Sequence, residues 1–297
     1  MKSIVILSGK GGVGKSSITA SLAVAFSKDK KIVCADCDVD ASNLSLLFSL
    51  PTDKYEEWKP LSTNQIAIVN KKKCISCGKC IDACYFKALK FKENIPKVNE
   101  FGCEGCGACE LICPVNAITL QNIDNAYIGY AKTNYNFSIA SAQLLPGNSG
   151  SGKIVSEVRK KANKISKNAE YLIIDSAAGI GCPVIASITG NDYAIIVTEP
   201  TPSGFSDMKK ALEIVNHFKI KTGLIINKFD LNKKYTNKIK LFAKKNNLKI
   251  IKKISFDKTF VKAMVNMVPI IDFDKTYEPI FEEIKQRIIT NINKLNS

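Results

Sequence analysis

The 297-residue chain contains no apolar run approaching the roughly 18 residues that a membrane-spanning helix needs, which excludes a helical span. Its first residues, MKSIVILSGKGG, carry a short apolar stretch that runs into glycines without a cleavage site, so no secretory signal is expected. Arginine is almost missing. Arg159 and Arg287 are the only two, and neither lies near a phosphate-binding pattern. There is one histidine, His217, read as a helix-end or surface residue. Cysteine is not scarce, but its distribution excludes a disulfide-built secreted domain. Eight of the eleven lie between Cys74 and Cys113 in two tight groups, which in a cytosolic protein points to metal. A cytoplasmic protein is therefore expected, with one large α/β domain and something small beside it.

The charge is strongly positive, at +16, and unevenly placed. Between Lys219 and Lys262 stand fourteen lysines against Asp230 and Asp257, which accounts for +12. The segment is either a solvated face or a surface for DNA, anionic lipid or an acidic redox partner.

Ser3–Ser8 (SIVILS) reads as a buried strand that ends in glycines. A helix over 16–28 follows, with Ile18, Leu22, Ala25 and Phe26 on one face, then a second strand, Lys31–Asp36. After residue 150 the alternation returns. Strands are expected at 171–175, 193–198, 223–227 and 248–255, with helices near 152–167, 183–189, 205–217 and 234–246. A last amphipathic helix over 278–295 carries Ile280, Phe281, Ile284, Ile288, Ile292 and Leu295, and its balanced charges favour packing onto the domain. Met264 and Met267 read as core. This is the pattern of a mostly parallel α/β sheet. It is interrupted by a segment without such alternation, so the expected organisation is residues 1–63 and 125–297 as one domain and 64–124 as an insert.

Gly9–Ser16 reads GKGGVGKS, a full match to G-x-x-x-x-G-K-[ST], placed after a strand and at a helix start. Glycines there let backbone N–H groups wrap an anion. Lys15 is suited to the β- and γ-phosphates and the Ser16 hydroxyl to Mg²⁺. The nucleotide-binding stretch is Gly9, Lys10, Gly11, Gly12, Val13, Gly14, Lys15, Ser16 and Ser17. Gly147–Lys153 mimics such a loop, but Ile154 stands where Ser or Thr is required, and the stretch reads as a loop before a helix.

The extra lysine, Lys10, makes the loop resemble that of the deviant-Walker-A ATPases: MinD and ParA, the nitrogenase iron protein and the Mrp-type cluster carriers. The resemblance spans the chain and implies a MinD-like P-loop NTPase fold of the SIMIBI type. It implies a homodimer with ATP sandwiched between subunits, in which Lys10 reaches the phosphates of the opposing copy. With no arginine near a phosphate motif, Lys10 is the available cation for the developing charge. By the same resemblance Asp36-Cys37-Asp38-Val39-Asp40 is switch I. Asp38 positions the attacking water and Asp36 stands near Mg²⁺, while Asp40 has no assigned role. Tyr171–Asp175 is a Walker-B strand with Asp175 in the metal shell, and Gly179 ends a D-x-x-x-G switch II whose N–H meets the γ-phosphate. Asn227 in N-K-F-D is read as an adenine contact, with GTP as the alternative nucleotide because the motif also matches guanine readers.

Cys74, Cys77, Cys80 and Cys84 have the spacing C-x2-C-x2-C-x3-C, and Cys103, Cys106, Cys109 and Cys113 repeat it 29 residues later, followed by Pro114. Zinc motifs instead pair two distant C-x2-C knuckles, which makes zinc the poorer alternative. The sixty-residue segment resembles bacterial two-cluster ferredoxins, so an α+β ferredoxin-like insert is expected. The resemblance implies one [4Fe-4S] cluster on Cys74, Cys77, Cys80 and Cys113, and another on Cys103, Cys106, Cys109 and Cys84. Tyr85 stands where many ferredoxins have proline. Cys34 is read as a core thiol, Cys37 lies within switch I, and Cys182 follows switch II. Cys182 is read as a packed thiol or, alternatively, as a ligand of a cluster across the dimer axis.

Together these readings give an ATPase whose nucleotide-driven dimer rearrangement is coupled to electron transfer through two clusters. The alternatives are a metal-cofactor or iron–sulfur assembly factor, and a ParA- or MinD-like positioning ATPase on DNA or anionic membrane. Carrier members hold a bridging cluster on a C-x-x-C near the C-terminus, and this chain has no cysteine after Cys182.

Overall fold

Strand β1 (Lys2–Ser8) lies between β10 (Tyr171–Ala178) and β11 (Tyr193–Thr198) and runs parallel to both. The arrangement comes from a computed structural model that describes residues 1–294, so Leu295 of the expected last helix lies outside the described residues. The chain divides into two compact units. The first holds Met1–Trp58, Ile128–Gln143 and the chain from Ser151 onward; the second holds Lys59–Tyr127 and Leu144–Gly150.

In the first unit the sheet continues from β10 to β2 (Ile32–Cys37) and β9 (Ser138–Leu144), and from β11 to β12 (Lys221–Asn227) and β13 (Lys249–Ile254). All of these pairings are parallel. Parallel neighbours need crossovers, which the helices supply. Strands covered on both faces read as continuous apolar runs, as in the fully buried β11. Successive side chains point to opposite faces. Ile4 and Ile6 share a core with α1 (Lys15–Ser27), α8 (Thr259–Val265), α9 (Ile270–Phe273) and α10 (Glu278–Asn293).

Helix α1 is buried on more than its expected face, because α9 and α10 also lie against it. Helix α10 buries Phe281, Ile284, Ile288 and Ile292 in this core, and so packs onto the domain. The remaining crossovers are α4 (Ser151–Ile165), α5 (Cys182–Ile188), α6 (Pro202–His217) and α7 (Lys233–Lys245). No helix among the described residues is long and apolar enough to cross a membrane.

The sequence pattern missed the sheet's far edge. β8 (Ala126–Lys132) adjoins β9, and β3 (Glu57–Leu61) adjoins β8. The segments AYIGYAK and SIASAQL both contain small residues, and pairing places them in the sheet, β9 against β2 and β8 against β9.

In the second unit β4 (Asn64–Val69) pairs antiparallel with β7 (Ile118–Ile123), and β5 (Leu89–Lys92) with β6 (Ile95–Val98). Two short helices, α2 (Lys79–Asp82) and α3 (Ala108–Leu111), complete it. The 29-residue sequence repeat is a backbone repeat as well. Ser76 and Gly105, Gly78 and Gly107, and Lys87 and Asn116 all have positive φ. Ala67, Cys80, Leu89, Cys109 and Ile118 form a small buried cluster there.

Candidate functional site

The phosphate loop leaves the C-terminal end of β1, where the strand order reverses and ligands of open α/β sheets bind. Two glycines there are required by geometry. A Cβ on Gly9 would sit 2.2 Å from the Asp207 carbonyl oxygen. Gly14 has φ +91°, and a Cβ on it would come within 2.5 Å of the Asn227 amide.

Around this loop the polar groups converge on Asp175. Lys15 is nearly buried, and its Nζ lies 2.9 Å from Asp175 Oδ1 and 3.9 Å from Asp38 Oδ2. The Ser16 hydroxyl donates to Asp175 Oδ2 at 2.7 Å and the Thr19 hydroxyl to Oδ1 at 2.7 Å. Sequence reasoning missed Thr19; its signal was a polar residue one helical turn after Lys15. Asp36 stands in register beside Asp175 and is fully buried. It accepts from the Ser42 hydroxyl at 2.7 Å and from the N–H groups of Leu44 at 3.0 Å and Asp38 at 3.2 Å. Burial, then the charge of Asp175, push its carboxyl up to about 7 against the opposing pull of Ser42 and Lys15. Burial also raises Asp38, against Lys15.

Ser16, Asp36 and Asp175 offer hard oxygen donors of the kind Mg²⁺ takes. Among the described residues no three His, Cys, Asp or Glu side chains converge on a single-ion site.

Lys10 is held within its own chain. Its Nζ is 3.0 Å from Glu199 Oε1 and 3.1 Å from Ser203 Oγ. Lys228 binds the other oxygen of Glu199 at 2.9 Å and the Gly12 carbonyl at 3.0 Å. Partial burial works to raise Glu199, but the two ammonium groups outweigh it and hold the carboxyl below its usual range. The Gly179 N–H donates to the Ser8 carbonyl at 2.9 Å. Asn227, read as a base contact, donates its amide to the Val13 carbonyl at 2.8 Å and braces the loop.

A cavity of about 610 Å³ opens beside these groups. Its lining joins Gly11, Gly12, Gly14, Lys15, Ser16, Ser17, Asp38 and Asn227 with the apolar Leu46, Phe256, Phe260 and Val261. That size and mixed lining suit a nucleotide. Met264 and Met267, expected in the core, are 51% and 48% exposed and line this cavity. An apolar residue near a helix end has the same sequence pattern whether it faces a core or a ligand.

In the second unit the eight clustered thiols surround two small cavities. Cys74, Cys77, Cys80 and Cys113 line one; Cys103, Cys106, Cys109 and Cys84 line the other. Each run divides its thiols three to one. The crossing thiols sit in matching settings, with Cys84 Sγ accepting from the Ala88 N–H at 3.3 Å and Cys113 Sγ from the Ala117 N–H at 3.2 Å. Tyr85 is 88% exposed.

Cys34 is buried, as expected of a core thiol, and Cys37 is buried too. Burial, then Asp36, push the Cys37 thiol well up. Cys182 is exposed at the start of α5 rather than packed. Most lysines between 219 and 262 are exposed, while Lys228, Lys249 and Lys252 have protein partners.

Residues 4–270 match the family described as the CobQ/CobB/MinD/ParA nucleotide binding domain. The chain is 38% identical over 288 residues to uncharacterized protein MJ0578 of Methanocaldococcus jannaschii, covering 96% of this chain and 95% of that one. A 54-residue stretch is 44% identical to the ferredoxin-type protein NapF of Haemophilus influenzae, covering 16% of this chain and 31% of that one. Among solved structures, the septum site-determining protein MinD complexed with Mg-ADP from Pyrococcus horikoshii superposes with a TM-score of 0.60 at 16% identity. The match covers 97% of this chain and 95% of that one, a likeness of fold.

Proposed function

The chain belongs to the CobQ/CobB/MinD/ParA nucleotide-binding family, and from that premise we propose that it is a redox-coupled ATPase with two [4Fe-4S] clusters. The observation that carries the reading is the three-to-one division of eight thiols between two cavities, in a chain that also has a complete phosphate loop. That division is the ligand pattern of two-cluster ferredoxins, and all eight donors are thiols, the donor type of iron–sulfur clusters. Cys74, Cys77, Cys80 and Cys113 would hold one cluster and Cys103, Cys106, Cys109 and Cys84 the other, within a ferredoxin-like insert read from sequence as residues 64–124. Such clusters supply one-electron storage.

At the nucleotide, Lys15 binds the β- and γ-phosphates. Ser16, with Asp175 and Asp36, would hold Mg²⁺, and Asp38 orients the attacking water. For hydrolysis Lys10 leaves Glu199 and Ser203 for the γ-phosphate of a second copy of the chain, which makes the active form a homodimer. Gly179 must likewise release the Ser8 carbonyl before its N–H can meet phosphate. In the sequence the insert lies between the switch I aspartates and the Walker-B strand, elements that respond to the γ-phosphate, and its ends continue into β3 and β8 of the sheet that carries both. A nucleotide that favours one state must shift any cluster property that differs between states.

The test is an EPR redox titration of the anaerobic protein with ADP, with a non-hydrolysable ATP analogue and with neither. At least one potential, or the rate of electron exchange with a ferredoxin, should shift with the analogue. Superimposable titrations and equal rates would overturn the coupling.

A further inference from the structure

The two halves of the cysteine-rich repeat share a backbone but not a charge. Residues 71–87 carry Lys71, Lys72, Lys73, Lys79 and Lys87 against Asp82. The matching residues, 100–116, carry Glu100, Glu104 and Glu110 and no basic residue. The difference is seven charges between equivalent segments, and most of these side chains are exposed. General lysine richness does not explain it, since that would place lysines in both halves.

The charges stand at the thiol cavities. Lys79 lines the cavity of Cys74, Cys77, Cys80 and Cys113, and Lys71–Lys73 form the turn that enters Cys74, whose N–H bonds to the Asn70 carbonyl. Glu104 lines the other cavity and accepts from Ser149 Oγ at 3.0 Å, while Glu110 accepts from the Leu120 N–H at 3.3 Å. Each cavity has one exposed thiol, Cys77 in the basic half and Cys106 in the acidic half.

Building on the iron–sulfur reading, we propose that Lys71, Lys72, Lys73 and Lys79 around Cys77 form the docking surface for an acidic one-electron carrier protein. The carboxylates of Glu100, Glu104 and Glu110 turn the same carrier away from Cys106. Exposed charge pairs are individually weak. Several of one sign around one exit, with the opposite sign around the equivalent exit, set orientation and on-rate, because like-charge approach is disfavoured. In the exchange one electron leaves the reduced carrier and is taken up within the Cys74, Cys77, Cys80 and Cys113 set. No bond forms or breaks and no proton moves.

The test uses the full chain, purified anaerobically and assayed first for iron and sulfide, with a strongly acidic plant-type [2Fe-2S] ferredoxin as probe. Binding is measured by calorimetry across a salt series. Lys71→Glu/Lys72→Glu/Lys73→Glu is compared with Lys233→Glu/Lys234→Glu/Lys238→Glu on α7, which changes net charge equally. The first variant should weaken binding about tenfold or more and flatten the salt dependence, the second by no more than about threefold. The milder Lys71→Gln/Lys72→Gln/Lys73→Gln should fall between. Equal weakening by both reversals would assign the effect to overall charge and overturn the docking surface. Unchanged binding in every variant of an iron-loaded protein would overturn it and leave the cluster reading standing. A chain without iron would overturn both.

Discussion

The nucleotide unit and the cysteine-rich unit keep their shapes by different means. In the first, a large apolar core lies under the site, and the site's own polar groups satisfy one another: Lys15, Ser16 and Thr19 on Asp175, and Lys10 and Lys228 on Glu199. In the second, the buried cluster beside the thiols is small, and two of its five described members are the proposed ligands Cys80 and Cys109. So small a core supplies little stabilisation, and small domains of this kind depend on disulfides or metal. On the iron–sulfur reading, the folding of the second unit is coupled to the clusters its thiols hold, whereas the first unit's core needs no ligand to form.

The strongest break in that comparison would come from the thiols. Cys80→Ser with Cys109→Ser should lower iron from about eight atoms per chain to near zero. Amide protection should vanish from β4 and β7, while β1 and β10 stay protected and nucleotide still binds. Hydrogen exchange beside an iron assay reads both. Protection that persists without iron would mean that the second unit folds by burial as the first does.

The converse substitution addresses the first unit. Phe281 is fully buried between α10 and the sheet core. Phe281→Ala should cost about 3–5 kcal/mol of stability in denaturant titration, with iron content unchanged.

Within the nucleotide site, Lys15→Ala should weaken ATP binding about a hundredfold, roughly 2.7 kcal/mol. Lys10→Ala should leave binding to the monomer within about threefold while abolishing hydrolysis and the ATP-dependent dimer in sedimentation. An unchanged dimer in Lys10→Ala would reject its role across the interface.

The smallest effect expected is an acid limb specific to the first unit. Asp257 accepts from the Tyr277 hydroxyl at 2.6 Å and from the Thr259 N–H at 2.7 Å, and these bonds hold its carboxyl at about 2. A carboxyl depressed in the folded state stabilises fully above its unfolded value of about 4 and loses that contribution as pH falls toward 2. Asp257→Asn should therefore differ most from the parent above pH ~4 and converge with it near pH ~2 in thermal melts.

Legibility followed locality. The phosphate loop and the cysteine runs were readable because their chemistry is written in consecutive residues with fixed spacing. The central strands were readable because strands covered on both faces are apolar throughout. Three things were not. Strands β9, β8 and β3, at the far end of the sheet, have weak patterns and exist through pairing. Met264 and Met267 are apolar but face a cavity, which no periodicity distinguishes from a core. The Lys10–Glu199–Lys228 arrangement joins positions 189 and 29 residues apart in the chain, and neither separation carries a signal.

The sequence by itself determined the nucleotide-binding class, the parallel alternation around it and the eight clustered thiols, because each is set by residue type at short range. Tertiary structure alone decided that Asp36 stands beside Asp175 in a setting that raises its carboxyl to about 7. It also decided that Lys10 is tied to Glu199 within its own chain. Those are long-range outcomes. They depend on strand order, on how far each side chain is withdrawn from water, and on which distant charges folding brings within a few ångströms, and a linear spacing encodes none of these.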